Sequence, residues 1–520
     1  MWHGDGVAVS YVIVGAGSAG AVLAARLTEN PAAEVLLLEA GPDYPSREKT
    51  PAELLDARSV AATHDWEYTA SPVRGRSGPY PRGKVVGGTS SINAALAVRG
   101  TPADFSDWVA SGCSQWGWDD VLPFFLRLES DLDYRDDLHG VSGPVPVCRW
   151  AIGDLVPEQR AFYDACRAAG FCDIGDHNHP GAGDLRGVGP LPMNRRGLER
   201  VSTARAYLDP ARRRPNLSIR SGCLVDRVRF AGSQAVGVDL ATGRERKTVE
   251  ADRVILSAGA IGSPAILLRS GIGPGGHLEA VGIAPVVDLP GVGARLWDHP
   301  GVPMLLAPRP GFGDLNVPCL QVAARYLDGE PPDRGEVFLF LASGIDVTGD
   351  PEATAALGGP VGMELCPVLM RPQAAGRLAL RSADPYRQPE IELDFAADPE
   401  DLRRMKDAVR LAHELTHSAE MAAIAHGVAG LSDSTASDDA LMAYVREHVD
   451  TFGHALGTAP MGSTSDPAAV VSQHCQVHGV DNLWVVDASV MPTVPAVPPH
   501  LTTIMIAERA ATWLTDAESA

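Results

Sequence analysis

The stretch SYVIVGAGSAGAVLAARLTENPAAEVLLLEAG, residues 10–41, decides the fold. An apolar run at 11–14 predicts a short strand, and AVLAARL has the spacing of a helix. A second apolar run, residues 34–38, predicts another strand. Between the first strand and the helix lies the pattern GxGxxG, at Gly15, Gly17 and Gly20. Such glycines permit a tight turn, close approach of the backbone to a pyrophosphate, and close packing of helix on strand.

An acid follows the second predicted strand. Glu39 lies 19 residues beyond Gly20, where a carboxylate binds the ribose hydroxyls of an adenosine. A carboxylate at this place argues against a 2′-phosphate. With strand, turn, helix, strand and acid in register, the sequence predicts a Rossmann-like α/β dinucleotide-binding unit, but this motif alone does not distinguish NAD from FAD.

Length and composition bound the remaining possibilities. A chain of 520 residues favours two domains, or one large domain with an insertion. Apolar residues at 45% and charged residues at 21% are typical of a globular protein. The formal net charge of −21 disfavours binding to nucleic acid or to anionic membranes, both of which require a basic face.

Cysteine usage and apolar runs indicate the compartment. The eight cysteines are scattered and include no CxxC pair, which is typical of reduced thiols in a cytoplasmic protein. The first residues, MWHGDGVAVSYVIVGAG, lack the pattern of a secretory signal, and no apolar run reaches about 18 residues. We therefore expect a cytoplasmic location, no export and no membrane span.

Two further segments identify a family. GKVVGGTSSINAALAVRGTPADFSDW (83–108) and GAIGSPAILLRSGIG (259–273) resemble the two signature segments of the glucose-methanol-choline (GMC) family of FAD-dependent oxidoreductases. The matching positions include Gly87, Gly88, Asn93, Ser263, Pro264, Ser270 and Gly271. The dipeptide Asp298-His299 and VVDASVMPTVP (485–495) extend the similarity over nearly the whole chain except roughly 300–400. Similarity is greatest to the bacterial branch that includes hydroxymethylfurfural oxidases, aryl-alcohol oxidases and choline dehydrogenases.

The resemblance implies the domain organisation. We expect a discontinuous Rossmann-like FAD-binding domain and a substrate-binding α+β domain with a mostly antiparallel sheet. The FAD-binding domain would comprise residues 9–145, 200–300 and 455–520, and the substrate domain residues 146–199 and 301–454. Segments rich in proline and glycine, APRPGFGDLNVP (307–318) and GDPEATAALGGP (349–360), predict loops.

The resemblance also implies the residues that bind FAD. Val225 is expected to contact the adenine through its backbone, and Asp487 to lie beside the ribityl or pyrophosphate portion. The full predicted set is Gly15, Gly17, Ser18, Ala19, Gly20, Glu39, Ala40, Val86, Gly88, Asn93, Ala94, Val225, Asp487 and Thr502. Some relatives attach the flavin covalently through a histidine in the loop at 83–94. Here that position is Ile92, so we expect non-covalent binding.

A catalytic pair is predicted near the C-terminus. In the family, the segment corresponding to TFGHALGTAPMG (451–462) carries a histidine that faces flavin N5, and the matching residue is His454. A second residue follows about 45 positions later, which is His500. A neutral imidazole is suited to remove the hydroxyl proton of an alcohol. We assign His454 as the base and His500 as the orienting hydrogen-bond partner; exchanged roles are the alternative.

The predicted activity is hydride transfer from a primary or secondary alcohol to FAD, giving an aldehyde or ketone, with O2 or another electron acceptor. Within the fold the alternative is a flavin-containing lyase without redox chemistry; a fatty-acid photodecarboxylase would lack the histidine pair. Two features bear on the substrate. Ala459-Pro460 stands where many relatives carry an arginine, and Phe452 is either a wall of the pocket or part of the core.

Several histidines suggest metal binding. HELTH (413–417) matches the HExxH spacing of zinc peptidases, which leaves a zinc hydrolase as a distant alternative. The extended form HExxHxxGxxH is absent, because Glu420 and Ala423 occupy the later positions. The clusters His474, Cys475, His478 and His177, His179 do not present four ligands at structural-zinc spacing and predict turns. No metal site is predicted.

Overall fold

The computed structural model describes residues 9–184, 186–242, 245–328, 335–431 and 437–519. Two sheets organise these residues. The first is a five-stranded parallel sheet, whose strands in spatial order are Leu217–Arg220, Val35–Leu38, Tyr11–Val14, Arg253–Leu256 and Leu483–Val485. Its strands come from three separate parts of the chain, so the nucleotide-binding sheet is discontinuous in sequence. The domain boundaries given above remain predictions.

The parallel sheet explains the apolar runs of the first motif. Every residue of strands Tyr11–Val14 and Val35–Leu38 is buried, as expected for central strands covered on both faces. Helix Ser18–Leu27 connects these two strands and packs against the last helix, His500–Ser519. The hydroxyl of Tyr11 donates to the carbonyl oxygen of Leu514 at 3.1 Å, which ties the end of the chain to the first strand.

The second sheet is mostly antiparallel and, within the described residues, has nine strands. Seven follow one path, in the order Ala425–Val428, Met304–Pro308, Val361–Leu369, Gly335–Asp346, Val322–Asp328, Gly187–Pro190 and Cys172–Asp173. The short strands Pro300–Gly301 and Asp450–Thr451 attach beside Val361–Leu369. We call this the large sheet.

Side chains alternate between the two faces of the large sheet. Leu339 and Leu365 belong to the main core, on which helices Pro157–Ala168 and Pro399–Thr416 pack. Phe340 and Cys366 belong to a separate cluster on the opposite face. That cluster also contains residues that follow the loop at 83–94 and residues near the C-terminus, namely Ala95, Leu96, Val98, Ala496 and Val497. The second face of the large sheet is therefore turned toward the nucleotide-binding segments.

The remaining elements are short or peripheral. The other helices are Ala52–Leu55, Pro102–Ala110, Trp118–Leu128, Asp209–Ala211, Gly259–Arg269, Gly275–Ala280, Pro351–Leu357, Ala419–Ala422 and Asp438–His448, with a π-helix at Ala204–Leu208. The other strands are Thr69–Ala70, Gly78–Pro79, Glu129–Asp131, Val145–Val147, Arg195–Arg196, Glu199–Arg200, Val225–Ala231, Gln234–Thr242, Glu245–Glu250, Ile272–Gly273, Val287–Asp288, Arg377–Ala379 and Glu390–Glu392. Among the described helices, none combines the length and apolarity that a bilayer crossing requires.

One predicted loop is wrong. Residues 349–360 contain the helix Pro351–Leu357. The side chain of Asp350 accepts hydrogen bonds from the backbone of Glu352 and Ala353, and Gly358 ends the helix with φ of +69°. Proline at the start and glycine just after the end are therefore capping residues here, not helix breakers.

Candidate active site

The glycine-rich turn leaves its backbone open to an anion. A Cβ on Gly20 would lie 1.9 Å from the carbonyl oxygen of Gly15, which itself has φ of +97°. Both glycines are therefore required for the turn to close. Helix Ser18–Leu27 starts directly after it, and its N-cap Gly17 provides no side-chain cap. The first backbone N–H groups of this helix thus point toward a potential phosphate.

Glu39 lies at the end of the second strand of the unit. Its carboxylate oxygens accept from the backbone N–H groups of Ala16 at 2.9 Å and Gly41 at 2.8 Å. Burial raises the pKa of Glu39 to about 6. A cleft of about 490 Å³ opens beside Ala40 and Gly41. The backbone oxygen of Glu39 also accepts from the N–H of Cys223, which brings the start of strand Val225–Ala231 to the same place.

The loop at 83–94 lies directly on the glycine-rich turn. The N–H of Gly87 donates to the oxygen of Ala16 at 2.7 Å, and a Cβ on Gly88 would lie 2.7 Å from the Cα of Gly17. Two motifs that are separated by some 70 residues in sequence thus form one backbone surface. Within this loop Asn93 accepts from the N–H of Ala95 at 3.0 Å.

Other residues of the loop at 83–94 pack against neighbouring segments. Val86 is buried and its N–H donates to the oxygen of Pro42 at 3.0 Å. Ile92 is buried with Leu54 and Val85. Ala94 is half-buried against the cluster on the second face of the large sheet. The loop therefore connects the nucleotide site to the large sheet.

Asp487 joins the second family segment to the C-terminal one. One carboxylate oxygen accepts from the N–H of Gly259 at 2.9 Å and the hydroxyl of Ser263 at 2.5 Å. The other accepts from the N–H and hydroxyl of Ser489, at 2.8 and 2.5 Å. Burial raises the pKa of Asp487. These contacts make Asp487 a structural link between residues 259–263 and 487–489, at the carboxyl edge of the parallel sheet.

The last helix carries two more predicted residues, and the first of them, His500, lies at the glycine-rich turn. Nδ1 of His500 lies 3.5 Å from the hydroxyl of Ser18, and burial lowers the pKa of His500 to about 4. Thr502 is fully buried, and its hydroxyl has no hydrogen-bond partner among the described residues. Burying a hydroxyl without a hydrogen-bond partner costs free energy, so a ligand or a water is expected to bind the hydroxyl of Thr502.

His454 forms a hydrogen bond with a second histidine, His299. Their Nδ1 atoms are 2.7 Å apart, and the rings are nearly perpendicular. The other ring nitrogen of His299, Nε2, lies 3.0 Å from the carbonyl oxygen of Pro495. A carbonyl oxygen only accepts, so His299 carries its proton on Nε2 and accepts at Nδ1. The shared proton therefore belongs to Nδ1 of His454, which leaves a lone pair on Nε2 of His454.

Both imidazoles are held neutral. Burial lowers the pKa of His299 to about 4. Burial, followed by the proximity of His299 and of the Arg82 guanidinium, lowers the pKa of His454 well below the ordinary value. At neutral pH the Nε2 of His454 is thus an unprotonated acceptor, as a general base must be.

Asp298 fixes the backbone of the His454 segment. Its carboxylate accepts from the hydroxyl of Tyr80 at 2.7 Å, the hydroxyl of Thr451 at 2.5 Å and the backbone N–H of His454 at 2.7 Å. It also accepts from the N–H of His299 at 2.7 Å. Burial raises the pKa of Asp298. The Asp298-His299 dipeptide thereby holds both the main chain and the ring of His454.

An aromatic row leads away from His454. The ring of Phe452 meets that of His454 edge-on, with centroids 5.3 Å apart, and stacks on Phe340 at 5.0 Å. Phe340 in turn stacks on Phe338 at 5.5 Å. Phe452 is half-buried. It is therefore a wall beside the imidazole as well as a member of the aromatic cluster.

The hydrogen-bond partner of His454 in the structure differs from the one that the sequence predicts. Sequence reasoning paired His454 with His500, whereas the structure gives His454 a hydrogen bond to His299 and places His500 beside Ser18. It also missed Arg82, whose guanidinium would lie 3.4 Å from a Cβ on Gly453. The Asp298-His299 dipeptide was visible in the sequence, but no local pattern indicates that its ring contacts a residue 155 positions away.

Ala459 and Pro460, which stand where many relatives carry an arginine, are both buried. The N–H of Ala459 donates to the oxygen of Ser489 at 2.8 Å, and the oxygen of Pro460 accepts from Val470 at 2.9 Å. The segment is a backbone link to residues 487–490, without a charged side chain at either position.

The histidine clusters form no metal centre in the described part of the chain, where no group of three or more His, Cys, Asp and Glu side chains is placed to hold an ion. In HELTH, Nδ1 of His417 donates to the oxygen of His413, which is buried in helix Pro399–Thr416. Nε2 of His177 donates to the oxygen of Gly189, and that of His478 to Gly462, both at 3.1 Å. His177 lies in a turn, as predicted, and is buried there.

Comparison with known proteins decides the family. The model of the GMC oxidoreductase family matches this chain in two parts, at residues 9–301 and 372–507. The chain belongs to the GMC oxidoreductase family. The predictions of the family, of an FAD-dependent enzyme acting on alcohol-type substrates, and of the α/β fold with a second, substrate-binding part are thereby confirmed.

Relatives of this GMC oxidoreductase cover almost its whole length. It is 36% identical to 5-(hydroxymethyl)furfural oxidase from Methylovorus sp., over 96% of this chain and 97% of the relative. It is 35% identical to oxygen-dependent choline dehydrogenase from Photobacterium profundum, over 96% and 92%. The crystal structure of pyridoxine 4-oxidase from Mesorbium loti superposes with a TM-score of 0.88 at 31% identity, over 98% and 99%.

FAD is the cofactor of this GMC oxidoreductase, and the residues present fit it. The uncapped start of helix Ser18–Leu27 suits the pyrophosphate. The buried carboxylate of Glu39, held by the N–H groups of Ala16 and Gly41, suits the ribose hydroxyls of the adenosine. The unpaired hydroxyl of Thr502 is a buried donor that a cofactor atom would satisfy.

Proposed function

We propose that this GMC oxidoreductase oxidises a primary or secondary alcohol to an aldehyde or ketone, with His454 as the general base. The single observation that carries this proposal is the chain of hydrogen bonds from Pro495 through His299 to His454. That chain sets the tautomer, so that Nε2 of His454 is left to accept a proton.

Alcohol oxidation removes a hydroxyl proton and a hydride from the adjacent carbon. FAD, when bound, accepts the hydride. Nε2 of His454 accepts the hydroxyl proton, and His299 keeps the ring oriented while the charge develops. Asp298 holds the main chain of His454 in the position that this transfer requires. His500, at the start of the last helix, is the proposed second polar group for the substrate.

The finer assignments follow the same proposal. FAD is bound non-covalently, since Ile92 offers no attachment chemistry, by the set of residues predicted from the sequence. The electron acceptor is O2 or another oxidant. The eight free cysteines support a cytoplasmic location. The FAD-binding part comprises residues 9–145, 200–300 and 455–520, and the substrate part residues 146–199 and 301–454.

Anaerobic mixing with alcohols tests the function. We expect that at least one member of a panel of aromatic, aliphatic, amino and sugar alcohols bleaches the yellow absorbance of the bound flavin, because the hydride has no other destination. The panel is repeated with O2 and with an artificial acceptor to separate oxidase from dehydrogenase. Cleavage of a cyanohydrin with the flavin unchanged would instead identify the lyase.

The pH dependence of flavin reduction follows from the two imidazoles. Their pKa values lie below the ordinary value, so the base remains unprotonated down to acid pH. The limiting rate of reduction by a saturating neutral alcohol is expected to be flat from about pH 6 to about pH 8 and to fall only toward lower pH. Stopped-flow measurement across this range checks it, and a midpoint near 7 or above contradicts the neutral pair.

A further inference from the structure

One carboxylate lies on the same face of the large sheet as the aromatic row. On strand Val361–Leu369, alternate residues face the same side. Cys366 and Val368 belong to the aromatic cluster and pair across the sheet with Phe340 and Phe338. Glu364, two residues before Cys366, therefore faces that side too. It pairs with Ala342, the next position along the neighbouring strand.

Glu364 lacks a counter-charge. It is half-buried, and no residue of the described ranges forms a hydrogen bond or ion pair with its carboxylate. Burial, and secondarily the like charge of Asp450, raises the pKa of Glu364 to about 7. Other buried acids of this region have a cation: Glu336 pairs with Arg325, and Asp104 with Arg371. An unpaired acid in an apolar surrounding costs stability, and such groups cluster at functional sites.

The position of Glu364 relates it to the catalytic base. A Cβ on Gly301 would lie 2.9 Å from Sγ of Cys366 and 3.6 Å from the ring of Phe452. Cys366 is thus next to the wall that touches His454. Two residues of strand advance the chain by about 6.7 Å, so Glu364 lies roughly one side chain farther from His454 along the same face.

We propose that Glu364 binds a cationic group, an ammonium, at the end of the alcohol substrate remote from the hydroxyl. This rests on the proposed function of the site. The carboxylate supplies the counter-charge, and the apolar cluster that contains Phe340 and contacts Phe452 suits the apolar part of the substrate. Arg82 lies beside Gly453 and acts on His454, and Arg76 acts on Asp450, but within the described ranges neither arginine forms an ion pair with Glu364.

A non-reacting cation tests binding separately from catalysis. The probe is benzyltrimethylammonium, titrated by calorimetry into the flavin-loaded wild type, Glu364→Gln and Glu414→Gln. Glu414 is an exposed acid on helix Pro399–Thr416 and serves as the matched control. We expect Glu364→Gln to weaken binding roughly 10- to 100-fold, as for a lost charged contact, and Glu414→Gln to leave it unchanged. Equal binding by Glu364→Gln, or no binding by the wild type, overturns the proposal.

The pH dependence of this binding adds a signature. A permanent cation favours the ionised carboxylate, so affinity is expected to rise from about pH 6 to about pH 8 in the wild type and to be flat in Glu364→Gln. The other titratable groups that act on this site are Asp450, Tyr444, Cys319 and Cys366. The pKa values of the tyrosine and both thiols are raised by burial, out of this range. Asp450→Asn distinguishes the remaining acid, and a pH effect that persists in Glu364→Gln contradicts the assignment.

A matched pair of alcohols distinguishes this inference from the proposed function. 4-(Aminomethyl)benzyl alcohol and 4-ethylbenzyl alcohol have nearly the same shape and differ in charge. We expect the cationic alcohol to reduce the flavin with the higher ratio of rate to dissociation constant, and Glu364→Gln to lower that preference by roughly 10-fold or more. Equal preference in both proteins overturns the inference while the function stands. If the probe binds in a Glu364-dependent way but no alcohol reduces the flavin, the cation site is supported and the proposed function is overturned.

Discussion

Replacing His454 with alanine is expected to leave a folded, yellow protein whose flavin is reduced by alcohol about 10²- to 10⁴-fold more slowly, the usual loss for a general base. The reason lies in one nitrogen. The carbonyl oxygen of Pro495 fixes the tautomer of His299, and His299 fixes that of His454, so that Nε2 of His454 is left as an acceptor. Alanine at position 454 removes this acceptor. Anaerobic stopped-flow reduction under saturating alcohol measures the loss.

Two other histidines provide the comparison for His454→Ala. His426 is exposed on strand Ala425–Val428, and His426→Ala is expected to reduce its flavin at the normal rate. His500→Ala tests the exchanged assignment, because half-buried His500 lies beside Ser18 and forms no hydrogen bond with His299 or His454. A larger loss in His500→Ala than in His454→Ala would reverse the two roles. If His454→Ala reduces its flavin at the normal rate, the assignment of His454 as the general base is wrong.

The nucleotide half of the fold could be predicted because its constraints are local. The strand Tyr11–Val14 has the bounds that the apolar run predicts, and the second strand differs by one residue at its start. The glycine spacing encodes steric contacts within a single turn, such as that between Gly20 and Gly15. Neighbouring residues alone determine such contacts, so they can be read without knowing the rest of the chain.

The site itself depends on contacts that are not local. Strand Pro300–Gly301 pairs with Asp450–Thr451, and this pairing sets residues 298–299 beside residues 451–454. It therefore brings His299, and not His500, to the ring of His454. Neither segment contains a local pattern that predicts this pairing. Glu364 presents the same difficulty. In VGMELCPVL it is a single acid within an apolar strand, and only the register with Phe340 and Phe338 shows which face it shares.

The wrong prediction of a loop at 349–360 has a local explanation. Proline and glycine both interrupt helices in the interior but stabilise helix ends, and the sequence shows the residues without their positions in the helix. Asp350 was the available signal, since an aspartate directly before a proline is a favourable N-cap.

The second large effect concerns the glycine-rich turn. Gly20→Ala is expected to yield protein without flavin and with reduced thermal stability. The added Cβ would lie 1.9 Å from the carbonyl oxygen of Gly15 and 3.3 Å from the Cβ of Ser257. Gly15 has little freedom to move away, because its N–H donates to Leu38 at 2.8 Å within the parallel sheet. Overpacking of a closed interior costs about 1–3 kcal/mol or more, and here it also displaces the helix start that suits the pyrophosphate.

Two other glycines separate the fold from the cofactor site. Gly276→Ala, at an exposed position of helix Gly275–Ala280, adds a Cβ that meets nothing within 4 Å and should keep both flavin and stability. A Cβ on Gly17 meets only the Cα of Gly88, at an ordinary 3.7 Å, so Gly17→Ala should fold normally and bind FAD more weakly, because its methyl group occupies the backbone surface that approaches the cofactor. Flavin content of the purified proteins and their unfolding midpoints measure both effects. Full flavin content in Gly20→Ala would show that the turn tolerates a side chain, and the steric account of the motif would be wrong.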